Sequence, residues 1–439
     1  MTSRLVSLAG RLERRRSLLG LAKLANVGLA MLWGFAVTFV FVRLLPFAEF
    51  RAFLLLVAFA NFTISAELGF STIIYSRLRR TTLAGEGDFR SEEMGALLLF
   101  MSGIIVLGAL LIALALWRGL IPTQQPWLFL AFYAASALNL LALLARRALA
   151  ALDHNLWWEI LDFLRRVASL ALLLAALAGL PLLTSVVLQL VLVLLTIIIG
   201  LVTVHRALAM PARHWWALRA GWTHVRANYL GDIGRTSVLT MSDIAAYNAP
   251  YFTIVAMTQD PRPLLLFDFV FKMSRALSAT VRALVETLLP ALTRHFHAGE
   301  DLRFRTELRR CLGLSLLVSL ALCVFLLVVG PLLSLLLFDG RIELQWLEIL
   351  LIDLLLVGLG IICVSVYVQN GLGRFAALVR PSLWFLAGSL LSVPVAAALG
   401  AVTELSFALR FAAAYALVHL LLAAVHGRML ARLAPEAAQ

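Results

Sequence analysis

The chain has 439 residues and a net charge of +13, yet only 14% of its residues are charged and 62% are apolar. Globular domains hold about 25% charged residues, so the composition excludes an ordinary soluble enzyme and reads as an all-α, multi-pass membrane protein. No stretch is long and polar enough for a separate soluble domain. No GxxxxGK-Ser/Thr loop is present for nucleotide hydrolysis, which leaves an ion gradient, the substrate gradient or a downstream reaction as the energy source.

In chain order, the apolar runs predict twelve spans: 18–45, 50–75, 94–117, 126–146, 157–179, 182–205, 228–256, 264–292, 311–338, 346–369, 376–400 and 403–426. Arg11, Arg14, Arg15 and Arg16 precede the first run, which is too long for a signal-peptide core and is read as a retained span. The 37 basic residues are 35 Arg and 2 Lys, and 27 of them fall in connections on the side of the N-terminus, counting Arg146 to Arg166 among these. Only 5 lie on the opposite side, at Arg43, Arg51, Arg118, Arg262 and Arg341. The bias places both termini in the cytoplasm and requires an even number of spans. It also explains the net charge without nucleic acid. Two six-span lobes around a central cavity follow, at 1–207 and 228–439, joined by a basic linker at 208–227 with Trp215, Trp216 and Trp222 as interfacial residues. Cys311, Cys323 and Cys363 sit in apolar runs without metal or disulfide spacing and read as small buried hydrophobes.

The eighth span carries the strongest chemical signal. Asp268, Lys272, Arg275, Arg282 and Glu286 share one helical stripe within about 40° of a common line. An ionised group at the bilayer centre costs roughly 2.5–3.5 kcal/mol on insertion scales, so this face belongs to a watery or protein-lined interior. One reading is a cavity wall whose Lys272, Arg275 and Arg282 attract an anionic headgroup such as phosphate or pyrophosphate. The other is a pair of intrahelical ion pairs, Asp268–Lys272 and Arg282–Glu286, each at i,i+4. That second reading leaves Arg275 without an acid.

Asp232, Arg235, Asp243 and Tyr247 share a face of the seventh span, where Pro250 marks a bend. Arg235 adds to an anion site, and the two acids either hold a coupling H⁺ or Na⁺ or pair with the basic stripe of span eight. Glu67 interrupts span two as a lone acid, a coupling site or the partner of a distant base, and Arg410 stands alone in span twelve as a further candidate for the cavity. His205, His214, His224, His295 and His297 scatter through the cytoplasmic connections, where contact with solvent or lipid headgroups is expected. No catalytic constellation or long outer loop is present, so the chain reads as a non-enzyme without a cofactor or bound metal.

Asn26-Val27-Gly28 through Phe41-Val42-Arg43-Leu44-Leu45-Pro46-Phe47-Ala48-Glu49-Phe50, then Ala66-Glu67-Leu68-Gly69-Phe70-Ser71-Thr72, resembles the first two spans of Wzx-type polysaccharide flippases, in the multidrug/oligosaccharidyl-lipid/polysaccharide (MOP) exporter superfamily. Ala245-Ala246-Tyr247-Asn248-Ala249-Pro250 and Leu289-Pro290-Ala291-Leu292 resemble the matching part of the second half. The chain departs from the family in Arg51, where a glycine is usual, and in its charged eighth span. The resemblance implies translocation of an undecaprenyl-diphosphate-linked oligosaccharide across a bacterial inner membrane by alternating access. Its implied partners are that lipid-linked oligosaccharide, membrane lipids and other polysaccharide-assembly proteins. From the residues themselves, Asp232, Asp243, Asp268, Glu67 and Glu286 are the candidates for H⁺ or Na⁺ coupling. The competing readings are a cation-coupled multidrug exporter, a lipid II-type flippase of the same superfamily, and an integral-membrane glycosyltransferase or its scaffold.

Overall fold

A computed structural model describes residues 16–84 and 89–436, and among them every regular element is helical. The helices are α1 (Arg16–Leu44), α2 (Phe47–Ser65), α3 (Phe70–Ala84), α4 (Glu92–Trp117), α5 (Pro126–Ala137), α6 (Asn139–Ala151), α7 (Asn155–Leu177) and α8 (Leu182–Ala207). They continue with α9 (Leu218–Met257), α10 (Pro261–His297), α11 (Asp301–Leu337), α12 (Trp346–Gly371), α13 (Phe375–Ala398) and α14 (Phe407–Glu436). Arg11, Arg14 and Arg15, part of the expected basic flank, lie outside the described residues.

All twelve expected spans fall on helix. Among the described residues, nine segments are long and apolar enough to cross a membrane: α1, α2, α4, the α5–α6 pair, α8, α11, α12, α13 and α14. In the three other long helices, α7, α9 and α10, charged residues interrupt the apolar run. The second span differs from expectation. It is a helix, a turn and a second helix, because Leu68 and Gly69 take positive φ values of 54° and 85° and end the run. The helix through Pro250 is continuous, although proline removes one backbone donor there.

Apolar side chains face outward as well as inward. On α11, small residues (Cys311, Ser315, Ser319, Cys323, Gly330 and Ser334) share the buried face with Phe304, Leu308, Leu326 and Leu337, while Leu317, Leu320, Val324, Val328 and Leu332 are exposed. Small residues let helix backbones approach closely, and the exposed leucines suit hydrocarbon rather than water. A multi-pass membrane protein is the physical consequence. The three cysteines are free and buried, as expected.

The chain divides into two compact units, one ending at Met241 and the other running Ser242–Gln439, so the division falls within α9. The stretch expected as a linker is partly helical: a 3₁₀ turn covers Ala212–Trp216 and α9 begins at Leu218. In the first unit, α1 packs along α7, α3 along α6, and α8 against α5, α6 and α7. A cluster of Phe41, Phe53 and Phe132 fills its interior, with ring centroids 4.1 and 4.7 Å apart at the Phe41–Phe53 and Phe53–Phe132 contacts. The 3₁₀ turn lies on the start of α4. A Cβ on Gly95 would sit 2.4 Å from the Trp215 carbonyl oxygen, and one on Gly221 would sit 2.2 Å from that of Glu92. In the second unit, α12 is central and contacts α10, α11, α13 and α14.

Candidate functional site

Asp260 starts α10 by accepting a hydrogen bond from the Arg262 backbone N–H, with Pro261 in the first turn. Two turns on, Asp268 is buried and forms an ion pair with Lys272. Its other oxygen accepts a 2.8 Å bond from the Tyr251 hydroxyl of α9. The Tyr251 ring is held by Phe267, 4.7 Å away, and Phe267 packs in turn on Tyr415 of α14. This end of the stripe is therefore a neutral, hydrogen-bonded lock inside the second unit. A buried pair of this kind is weak evidence of net stabilisation, but losing one partner strands the other charge.

Arg275 behaves differently. Its side chain is exposed, its guanidinium lies 5.6 Å from the Phe271 ring centre, and it has no acidic partner among the described residues. Farther along, Arg282 Nε donates a 2.8 Å bond to Glu286 Oε1 in an exposed pair, with the Tyr367 ring 5.9 Å away. Both expected i,i+4 pairs exist. Lys272 is thus paired in the interior, Arg282 is paired in an exposed position, and Arg275 has no acidic partner among the described residues.

The other acids and bases are dispersed. Asp243 meets the Ser382 hydroxyl of α13, and Tyr247 packs against Phe385 at 4.9 Å. The side chains of Asp232 and Arg235 lie outside the described residues. Glu67 occupies the turn between α2 and α3, and its carboxylate accepts a 3.2 Å bond from the Ser71 backbone N–H. It serves as a cap for α3, satisfying a backbone donor at a helix start. Arg410 lies in the first turn of α14, not deep in a span: its guanidinium donates to the Thr403 carbonyl at 3.5 Å and presses on Gly400.

Several polar groups were invisible to span reading. Glu93 at the start of α4 is fully buried and is taken by the Tyr229 hydroxyl, by His224 at 2.9 Å and by Arg77 at 3.7 Å. His224 and His214, expected to meet solvent or lipid headgroups, are instead engaged by carboxylates, the latter with Glu92 at 3.6 Å. In the second unit, Asp353 of α12 is buried with no hydrogen-bond partner for either oxygen among the described residues. His426 of α14 pairs through Nδ1 with Ser365 at 2.9 Å. Asp162, Arg165 and Arg166 stand together well inside α7, so the two arginines do not belong to the connection in which they were counted.

No protein-family model matches the chain, and no curated protein sequence is significantly similar to it. Solved structures of MATE transporters do match over nearly its whole length. A mutant of the Vibrio cholerae MATE transporter VcmN aligns with a TM-score of 0.63 at 16% identity, covering 98% of both chains. An inward-facing multidrug resistance MATE family transporter of the MOP superfamily gives 0.62 at 13% identity, over 92% of this chain and 94% of its own. The eukaryotic MATE transporter AtDTX14 gives 0.59 at 13% identity, over 98% and 99%. At such identities the likeness is one of fold: this chain has the fold of a MATE-type transporter.

Proposed function

We propose that the protein is a MOP-type exporter that flips an undecaprenyl-diphosphate-linked oligosaccharide across the bacterial inner membrane by alternating access. The observation that carries this reading is Arg275, an exposed guanidinium on a helix that also holds Arg282, in a chain where in-span charge is scarce. Arginine presents a planar fork of donors suited to phosphate oxygens, and it repels a cationic drug. Asp243 and Asp353 are the acids best placed to couple H⁺ or Na⁺ to the cycle, since neither forms an ion pair among the described residues.

A second reading is multidrug export, favoured by the fold it shares with the multidrug resistance transporter described above. One pair of assays separates them. In proteoliposomes, the flippase reading expects wild-type protein to expose a fluorescent diphosphate-linked oligosaccharide lipid to an external quencher, and Arg275→Ala and Arg282→Ala each to abolish this at normal protein level. Unchanged flipping in both variants refutes it. Ethidium efflux by wild-type protein that both variants retain would favour the drug exporter.

A further inference from the structure

The first unit contains a second basic centre, which the stripe of α10 does not involve. It rests on α7, where Asp162, Arg165 and Arg166 follow at i, i+3 and i+4. Arg165 Nε and Nη2 both donate to Asp162 Oδ1, at 3.0 and 2.6 Å, while Arg166 Nε donates to Oδ2 at 2.8 Å. One carboxylate is thereby shared by two guanidiniums, which leaves one positive charge in excess. The Arg165 and Asp162 side chains are each only 9% exposed, so water does little to screen this excess.

The nearest acid does not balance it. Glu159, one turn earlier, is already engaged by Arg146 at 3.0 Å and by the Asn26 amide at 2.6 Å. Arg165 lies ten residues into α7, about 15 Å from its first turn at the α-helical rise, which is near the middle of this 23-residue helix. An uncompensated guanidinium at that depth is costly unless an anion meets it.

A cavity lies where that anion would sit. It measures about 60 Å³ and is lined by Arg165 and Arg166 together with Trp33, Asn139, Ser169 and Gln189 from α1, α6, α7 and α8. At roughly 10–15 Å³ per water-sized sphere it takes only a few such spheres. It is far smaller than the ~300–1,000 Å³ of a whole-ligand pocket. The space admits one oxyanion group and excludes a sugar chain. Arg166 has two terminal nitrogens not used by Asp162, and the amide and hydroxyl side chains around it supply further polar contacts.

We propose that this cavity is a phosphate subsite, in which Arg166 and Arg165 bind one phosphate group and Asp162 holds their guanidiniums in position while attenuating the affinity. The anion is a phosphate ester or free phosphate by this chemistry. Its assignment to the diphosphate of a transported lipid rests on the reading given under the proposed function. The subsite would give the first unit an anion-binding element of its own, separate in sequence from Arg275.

The sign of the charge changes provides the test. Full-length protein is purified in nanodiscs of zwitterionic lipid, and binding is measured by calorimetry with inorganic phosphate, pyrophosphate and a short-chain prenyl diphosphate. Asp162→Asn removes the shared negative charge and is expected to tighten binding about tenfold. Arg166→Gln is expected to weaken it at least tenfold, and Arg166→Lys, which keeps the charge but not the fork, to fall between them. Preference for the prenyl diphosphate over the two free anions assigns the site to the lipid-linked substrate, whereas equal binding assigns it to free phosphate. Size-exclusion profiles establish folding, and Arg165→Gln replaces any variant that fails to fold. Anion binding that is absent, or unmoved by these substitutions in folded protein, overturns the subsite. Loss of flipping in Arg275→Ala with the α7 binding intact leaves both readings standing, and normal flipping in both Arg275→Ala and Arg282→Ala with binding lost in Arg166→Gln sinks only the flippase reading.

Discussion

The charged segments of α7 and α10 use the same local device and reach opposite results. In α10, Asp268 is met by one cation, Lys272, and by the neutral Tyr251 hydroxyl, so the buried group is balanced. In α7, Asp162 is met by two cations, so the group carries an excess of one. An acid and a base four residues apart thus build either a structural lock or an anion site, depending on whether a second base stands beside the first. A neutral lock resists removal of one partner, whereas an overcharged centre is tuned by it.

The largest effect is expected where the lock is broken. Lys272→Met leaves Asp268 buried and unpaired and is expected to destabilise the folded protein by about 3–5 kcal/mol, the usual cost of stranding one half of a buried pair. It would be read as a fall in the thermal unfolding midpoint. Double substitution of Asp268→Leu with Lys272→Met should recover most of that loss, and failure to recover would mean that Tyr251 rather than the ion pair carries the lock. Next comes the α7 centre, where Asp162→Asn leaves two guanidiniums without their shared acid and should lower stability while raising anion affinity about tenfold, with added phosphate restoring part of the lost stability. A large destabilisation with no gain in affinity would make the triad a second lock and erase the contrast.

Arg275→Ala follows. It should leave stability nearly unchanged, because the side chain is exposed and has only a ring contact with Phe271, while abolishing flipping. The smallest effect belongs to the exposed Arg282–Glu286 pair, where Glu286→Gln should cost about 0.3–0.5 kcal/mol, as expected for an i,i+4 pair in solvent. A loss above ~2 kcal/mol would show the pair to be structural.

Span positions were legible because each apolar run exceeds bilayer thickness, and both i,i+4 pairs of α10 were legible because helical spacing alone brings them together. The break at Leu68 and Gly69 could have been read from the Glu67-Leu68-Gly69 stretch, since glycine tolerates the positive φ that ends a helix. Arg165 and Arg166 were misplaced because a cluster of arginines near a span boundary reads as cytoplasmic flank when helix ends are uncertain by a few residues. Arg410 was misplaced for the mirror-image reason: its helix begins at Phe407, a turn later than expected, and puts it at the end instead of the interior. The side-chain partners of Glu93 (Arg77, His224 and Tyr229) and of Glu159 (Arg146 and Asn26) lie 13 to 136 residues away in the chain, so no local pattern announces them.

The amino-acid sequence by itself determined that the chain is a helical, multi-pass membrane protein with its in-span charge concentrated in a few helices. That follows from composition and period, which act within one helix at a time. Tertiary structure decided which charges are neutralised and which are left over, because that depends on what neighbouring helices bring to each face: Tyr251 to Asp268, Asn26 to Glu159, and a small polar cavity to Arg165 and Arg166. In a low-dielectric interior one uncompensated charge outweighs many apolar contacts, and its location is set by packing.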